Sequence, residues 1–356
     1  MRIGILTFHA AHNYGAVLQC YAFQEYLKSL GHEVGVIDYR NLQLLSEYDC
    51  FRRERFVRKN PIQMARLLIK ELLSYRRRKA RYKAFDNFIN KNLEMVPVNE
   101  ISAKPFDWIL IGSDQVWNFK LTRGFDSFYW AKFEHPSSTK IASYAASMQD
   151  NWTGPDGKII AGLLNNFDKL SVREKSIANK LYDLNSSKPI IQVVDPTLLF
   201  TSNQWDKLAA KTPISEPYLF LYQVEPNPIA EAVANSVAKH KKLRIVHLSA
   251  QATSINDKEV IATSPEQFVG LFKYASFVVC SSFHGTVFSL HYKKQFYSIR
   301  GNGKNARVES LLNQLDMDSR FIDAIPQSFD DISYENFDML KIRKTSIEFI
   351  NSLTIK

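Results

Sequence analysis

Short runs of apolar and β-branched residues alternate along this chain with segments whose apolar positions recur every three to four residues. That alternation predicts parallel strands covered by helices. In the first half the strand candidates are Arg2–Phe8, Glu33–Tyr39, Phe106–Gly112, Lys140–Tyr144, Lys169–Val172 and Ile190–Val194. In the second half they are Tyr218–Val224, Arg244–Leu248, Phe277–Cys280 and Gln295–Ile299. Between the first two, Ala16, Cys20, Phe23, Leu27 and Leu30 share one helical face and Gly31 supplies a stop, so the chain opens on a βαβ unit. A chain of 356 residues exceeds what one core usually serves. The segment Asp195-Pro196-Thr197 closes the last strand of the first half, and Pro213 to Pro217 precede a new one. The expected fold is therefore α/β, with two Rossmann-like domains, 1–200 and 201–356, facing across a cleft where the carboxyl ends of the strands converge. A basic helical insertion is expected at about 51–92, and the last helix is expected to pack back on the N-terminal domain.

Charge sharpens one region only. Arg52 to Lys91 hold 14 basic residues against Glu54, Glu71 and Asp86, while the whole chain carries a formal +10. Met64, Leu67, Leu68, Leu72 and Tyr75, then Tyr82, Phe85 and Ile89, form two apolar faces there, predicting an amphipathic basic hairpin. A charged face over a core-packed helix and contact with an anionic membrane are both consistent with this pattern. Nucleic acid is not expected, because no recognised binding motif accompanies the charge. Cys20, Cys50 and Cys280 form no CxxC pair and leave an odd count, which fits a reducing compartment and neither a zinc cluster nor a disulfide framework. The opening Met1 to Phe8 reads as a strand, since its apolar run is too short for a leader, and no run approaches the ~18 to 20 residues of a membrane span. A cytoplasmic protein is expected, with 52–91 a candidate for peripheral contact at the inner face of the membrane.

Candidate chemistry collects where strands end. The loop from Thr7 to Gly15 leads into the first helix, where free N–H groups favour an anion; Asn13 and Gly15 are equally an N-cap and a turn residue. One glycine does not make a dinucleotide or Walker loop. Asp114 follows a buried strand and could hold a sugar hydroxyl, with Trp117 as a stacking face; a capping Asp and a core Trp are the plainer alternative. Arg173 offers a planar fork for carboxylate or phosphate. Ser282 and His284 are delivered to a helix start by the strand ending at Cys280, where an imidazole can exchange protons or merely cap the turn. Arg307 opens a helix after the glycine-containing loop from Arg300, a position that favours a nearby anion. No spacing of His, Cys and carboxylates suggests a metal.

Taken together, Asn13-Tyr14-Gly15-Ala16-Val17-Leu18-Gln19, Gly112 to Trp117, Ser171-Val172-Arg173-Glu174, Val194 to Leu199 and Ser282-Phe283-His284-Gly285-Thr286 resemble, in that order, the polysaccharide pyruvyltransferase family. The resemblance spans roughly residues 3 to 315. It implies a fold like that of GT-B glycosyltransferases, no cofactor, and phosphoenolpyruvate as the donor, held between domains and served by Arg173 and His284. The acceptor it implies is a sugar of a polysaccharide or of a lipid-linked precursor, on which a pyruvate ketal forms as phosphate leaves. Ser281 stands where many relatives have an aspartate, so that carboxylate is absent beside His284. Two other classes fit the same cleft: a glycosyltransferase using a nucleotide sugar, and a non-catalytic saccharide-binding protein.

Overall fold

The structure, a computed structural model, describes residues 1–48, 60–148, 152–184, 187–249, 264–301, 306–335 and 337–354. Cys50, the basic residues from Arg52 to Lys59, and Gly303 and Lys304 of the glycine-containing loop lie outside them. The chain divides into two compact units. One comprises Met1–Leu45, Ile89–Phe200 and Asp338–Lys356, and the other Ser46–Phe88 and Thr201–Phe337.

In chain order the elements are β1 (Arg2–Leu6), α1 (Tyr14–Ser29), β2 (Glu33–Ile37), α2 (Leu42–Ser46), α3 (Pro61–Asn92), β3 (Met95–Val96), α4 (Glu100–Ala103) and β4 (Trp108–Ile111). There follow β5 (Lys140–Ser143), α5 (Gly154–Leu164), β6 (Leu170–Val172), α6 (Lys175–Leu184), β7 (Ile190–Gln192), α7 (Ser202–Asp206), β8 (Tyr218–Gln223) and α8 (Pro228–Lys241). The chain then runs through β9 (Arg244–Ser249), α9 (Pro265–Tyr274), β10 (Phe277–Cys280), α10 (Phe283–His291), β11 (Gln295–Ile299), α11 (Ala306–Asn313), β12 (Phe321–Ile322) and α12 (Leu340–Ser352).

Among the described residues every strand pairing is parallel. In the first unit the order is β3-β2-β1-β4-β5, and the β6-β7 pair continues it, since Ala142 bridges to Lys169 and Ser143 N donates to Lys169 O at 3.0 Å. The second unit's sheet runs β12-β11-β10-β8-β9. Both orders reverse direction once, between β1 and β4 and between β8 and β10. In an open parallel sheet that reversal leaves a crevice at the carboxyl ends of the two strands, because their following connections leave to opposite faces.

The central strands are apolar throughout because helices cover both faces. Trp108-Ile109-Leu110-Ile111 and Phe277-Val278-Val279-Cys280 are entirely buried. All ten expected strands are present, trimmed by one or two residues at several ends. The two missed, β3 and β12, are two residues long and carry too little pattern to register. Leu30, expected on the buried face of α1, is instead its exposed C-cap, and Gly31 follows at φ 83°. The basic segment is not a hairpin. The described part is one continuous 32-residue helix, α3. Nothing between Ile62 and Asn92 is glycine or proline, and Ala, Leu, Lys and Arg dominate, so no residue there favours a turn over another helical bond. No helix of the described residues is long and apolar enough to cross a membrane.

Candidate functional site

The first unit gathers a buried polar network at its crevice. Thr7, directly after β1, donates from Oγ1 to Ser113 O at 2.9 Å and accepts from Gln19 Nε2 at 2.8 Å. Gln19 is fully buried on α1, so the helix contributes a polar group to the strand ends rather than to solvent. Asn13 is the N-cap of α1, its side-chain carbonyl accepting from Gly15 N at 2.9 Å and Ala16 N at 3.4 Å. His9 is buried with its ring nitrogens against Thr7 O and Asp38 Oδ1. The His9 contact, with Arg40 beside it, holds the Asp38 carboxyl well below the usual carboxylate range.

After β4 the backbone turns sharply. Gly112 has φ 122° and approaches the neighbouring chain so closely that a Cβ would stand 2.2 Å from Tyr144 O. Asp114 follows at φ 69°, also left-handed. We expect Gly112→Ala to lower stability by about 3 kcal/mol or more, from a conformation L side chains avoid plus a backbone that cannot move aside. Urea denaturation checks this, and an unchanged midpoint would refute it.

Arg173, just past β6, is buried at the centre of three carboxylates. Its Nη1 donates to Asp195 Oδ2 at 2.6 Å, Nη2 lies 3.6 Å from Asp114 Oδ1, and Nε lies 3.6 Å from Glu174 Oε1. Burial works against the guanidinium's charge, but Asp195, Glu174 and Asp114 more than offset it and hold its pKa above the ordinary value. Asp195 also accepts from Thr197 N and Oγ1, Ser113 Oγ lies 3.1 Å from its Oδ2, and Glu174 accepts from Ser147 Oγ at 2.6 Å. One guanidinium against three carboxylates leaves this cluster with a formal −2. The expected open fork for an anion is therefore not what surrounds Arg173. The member with the most exposed side chain is Asp114, at 14%. Trp117 is not a stacking platform: it is fully buried, donates from Nε1 to Tyr129 O at 2.8 Å, and stacks on Trp130 at 4.7 Å.

In the second unit the crevice lies between β8 and β10, and α10 starts there. Ser282 is its N-cap, and its Oγ accepts from Gly285 N at 3.5 Å. His284 stands in the first turn, largely buried, with Phe283 edge-on at 5.2 Å. Gly285 has no room for a side chain: a Cβ would lie 2.8 Å from Cys280 Cβ and 3.2 Å from Tyr222 Cδ1. That close approach seats the helix start, and with it the imidazole, directly on the strand ends. Beside it Thr286 Oγ1 and Ser298 Oγ, 2.6 Å apart, tie α10 to β11. Burial pushes the Cys280 thiol up, so it is a packing group here. Arg307 is the second residue of α11 and half-buried, one connection along the sheet from His284. Arg300 packs over Phe321 and pairs with Glu309.

Each quoted motif thus follows or straddles the carboxyl end of a strand. A family model described as polysaccharide pyruvyl transferase matches residues 13–302, which is most of the chain. The chain belongs to the polysaccharide pyruvyl transferase family. Comparison with curated proteins returns no match. Solved structures similar to this family member include the UDP-GlcNAc 2-epimerase of Methanocaldococcus jannaschii, at 9% identity and a TM-score of 0.46, covering 98% of this chain and 92% of that one. The E. coli heptosyltransferase WaaC with ADP is similar at 9% identity and a TM-score of 0.40, covering 99% and 100%. A putative UDP-N-acetylglucosamine 2-epimerase from Listeria monocytogenes is similar at 11% identity and 0.47, covering 98% and 88%.

In this pyruvyl transferase family member Asp114 and Arg173, both candidates from the sequence, lie 3.6 Å apart, while the buried polar residues around them were not among the candidates. Asp195, Glu174, Ser113, Thr7 and Gln19 gave one available signal, a polar residue at a position that pattern assigns to the core.

Proposed function

We propose that this protein transfers the pyruvyl group of phosphoenolpyruvate to two hydroxyls of one sugar in a polysaccharide or lipid-linked precursor, forming a ketal and releasing phosphate. The observation that supports this most is that Asn13 to Gln19 and Gly112 to Trp117 follow the two strands of the first sheet reversal while His284 follows a strand of the second. The donor carries a carboxylate and a phosphate. The start of α10, the start of α11 and Arg307 are its cradle, since backbone N–H groups and a guanidinium favour concentrated negative charge.

The reaction needs two proton movements. The methylene carbon of the enol takes a proton, the resulting oxocarbenium-like carbon is attacked by one hydroxyl, phosphate departs, and the second hydroxyl closes the ring. The two hydroxyl protons are accounted for by the new methyl group and by phosphate. His284, an imidazole within the crevice, is the proton carrier for one of these steps. Asp114 accepts hydrogen bonds from the acceptor sugar, and Arg173 positions Asp114 through their ion pair. No step calls on a cofactor.

Purified protein, phosphoenolpyruvate and a panel of lipid-linked oligosaccharides should release inorganic phosphate only when acceptor is present. Mass spectrometry should show the acceptor heavier by pyruvate less one water. Gain of a sugar mass from a nucleotide sugar instead would establish glycosyl transfer, and absence of any product with every acceptor would leave a saccharide-binding protein.

A further inference from the structure

Helix α3 carries an exposed stripe that the transfer reaction does not use. Ile62, Ala65, Ile69, Leu72, Arg76, Lys79 and Lys83 follow one another at alternating spacings of three and four, so they line one side of the helix, and all are exposed. Ile62 is 69% exposed, Ile69 58% and Leu72 63%, while Met64, Leu68 and Tyr75, also exposed, lie off this stripe, further around the helix. The opposite side faces inward through Glu71, Arg78, Phe85 and Ile89, with Arg78 Nη2 paired to Glu71 Oε2 at 2.5 Å.

The two halves of the stripe differ in chemistry. It is apolar from Ile62 to Leu72, about 15 Å of helix, and cationic from Arg76 to Lys83, a further turn or two along. Among the described residues α3 has no exposed acidic side chain, since Glu71 is buried and Asp86 half-buried. Large apolar side chains in water are unfavourable, and Ile62, Ile69 and Leu72 present three of them in a row along this side of the helix.

We propose that this stripe seats the protein on an anionic lipid bilayer. The apolar turns from Ile62 to Leu72 enter the boundary between headgroups and acyl chains, while Arg76, Lys79 and Lys83 lie at the level of the lipid phosphates. The charge pattern favours this occupant over the others. A second copy packed in parallel through the same stripe would face cation against cation, and one packed antiparallel over the apolar half would leave Arg76, Lys79 and Lys83 with no exposed acidic partner among the described residues of α3. A nucleic acid would leave Ile62, Ile69 and Leu72 without a partner. The inference is independent of the proposed reaction, because none of these residues stands in either crevice.

The test is sedimentation of the full chain with vesicles of equimolar phosphatidylglycerol and phosphatidylcholine, against vesicles of phosphatidylcholine alone. Binding to the first and not the second is expected, weakening with salt. The combined change R76Q, K79Q and K83Q should weaken it about a hundredfold, at the contribution expected of each cation near such a surface. The pair Ile69→Asp and Leu72→Asp should abolish it at any salt concentration. Both variants should melt like the parent, since every changed side chain is exposed. Equal binding to neutral vesicles, no sedimentation, unchanged binding by the variants, or a concentration-dependent dimer dissolved by Ile69→Asp in light scattering would each overturn the proposal.

Discussion

Replacing His284 with alanine should lower kcat for pyruvyl transfer by about a hundred- to ten-thousandfold, the range lost when a positioned proton carrier is removed. The KM for acceptor should change little, because the imidazole stands on the second unit's crevice with the proposed donor cradle, whereas Asp114 is the proposed acceptor contact. His284 is largely buried, so truncation also removes packing against Phe283. His284→Gln keeps most of that volume and cannot shuttle the proton. If it reproduces the loss while the melting temperature holds, the loss is chemical. Initial rates of phosphate release with saturating donor measure the effect, and a near-normal rate in both variants would remove His284 from the mechanism.

Arg173→Ala should act first on the fold. Deleting the guanidinium strands Asp195, Glu174 and Asp114 around an empty centre, and leaving buried charges uncompensated costs about 3–5 kcal/mol. Arg173→Lys restores one charge but not the planar fork that reaches three carboxylates in different directions. It should recover part of the stability while Asp114 loses its fixed position. Any catalytic deficit that remains should then appear in kcat and acceptor KM, with donor KM unchanged. Equilibrium unfolding together with substrate titrations decides this. A fully stable Arg173→Ala protein with a raised donor KM would show instead that the guanidinium leaves its carboxylates and grips the donor itself.

The two effects differ in kind because the two crevices differ in charge. Around Arg173 the fixed groups sum to a negative cluster sealed by Ser113, Thr197 and Ser147. Around His284 and Arg307 there are helix starts and a cation. The proposed donor, with its two anionic groups, would favour the second arrangement over the first, since like charges in a partly desolvated site interact over several ångströms.

The central strands were legible in the chain because a strand buried on both faces is written as a nearly continuous apolar run, and the edge strand β9 because of its β-branched residues Ile245 and Val246. The helix starts at Asn13 and Ser282 were legible too, since a cap acts on N–H groups two or three residues away. The basic segment misled because two apolar groups suggested two helices; in α3 they follow one another along one rod, the first left largely exposed and the second buried at Phe85 and Ile89.

What the sequence determined by itself was the local order: which residues form strands, where each one ends, and that polar and basic groups collect at those ends. Which groups meet was decided only by the tertiary structure, since Ser113 and Asp195 touch across 82 positions of chain. Trp117 became core and Arg173 the hub of a carboxylate cluster for the same reason. Burial and pairing depend on which strand lies beside which, and that neighbourhood is a property of the assembled sheet rather than of any window along the chain.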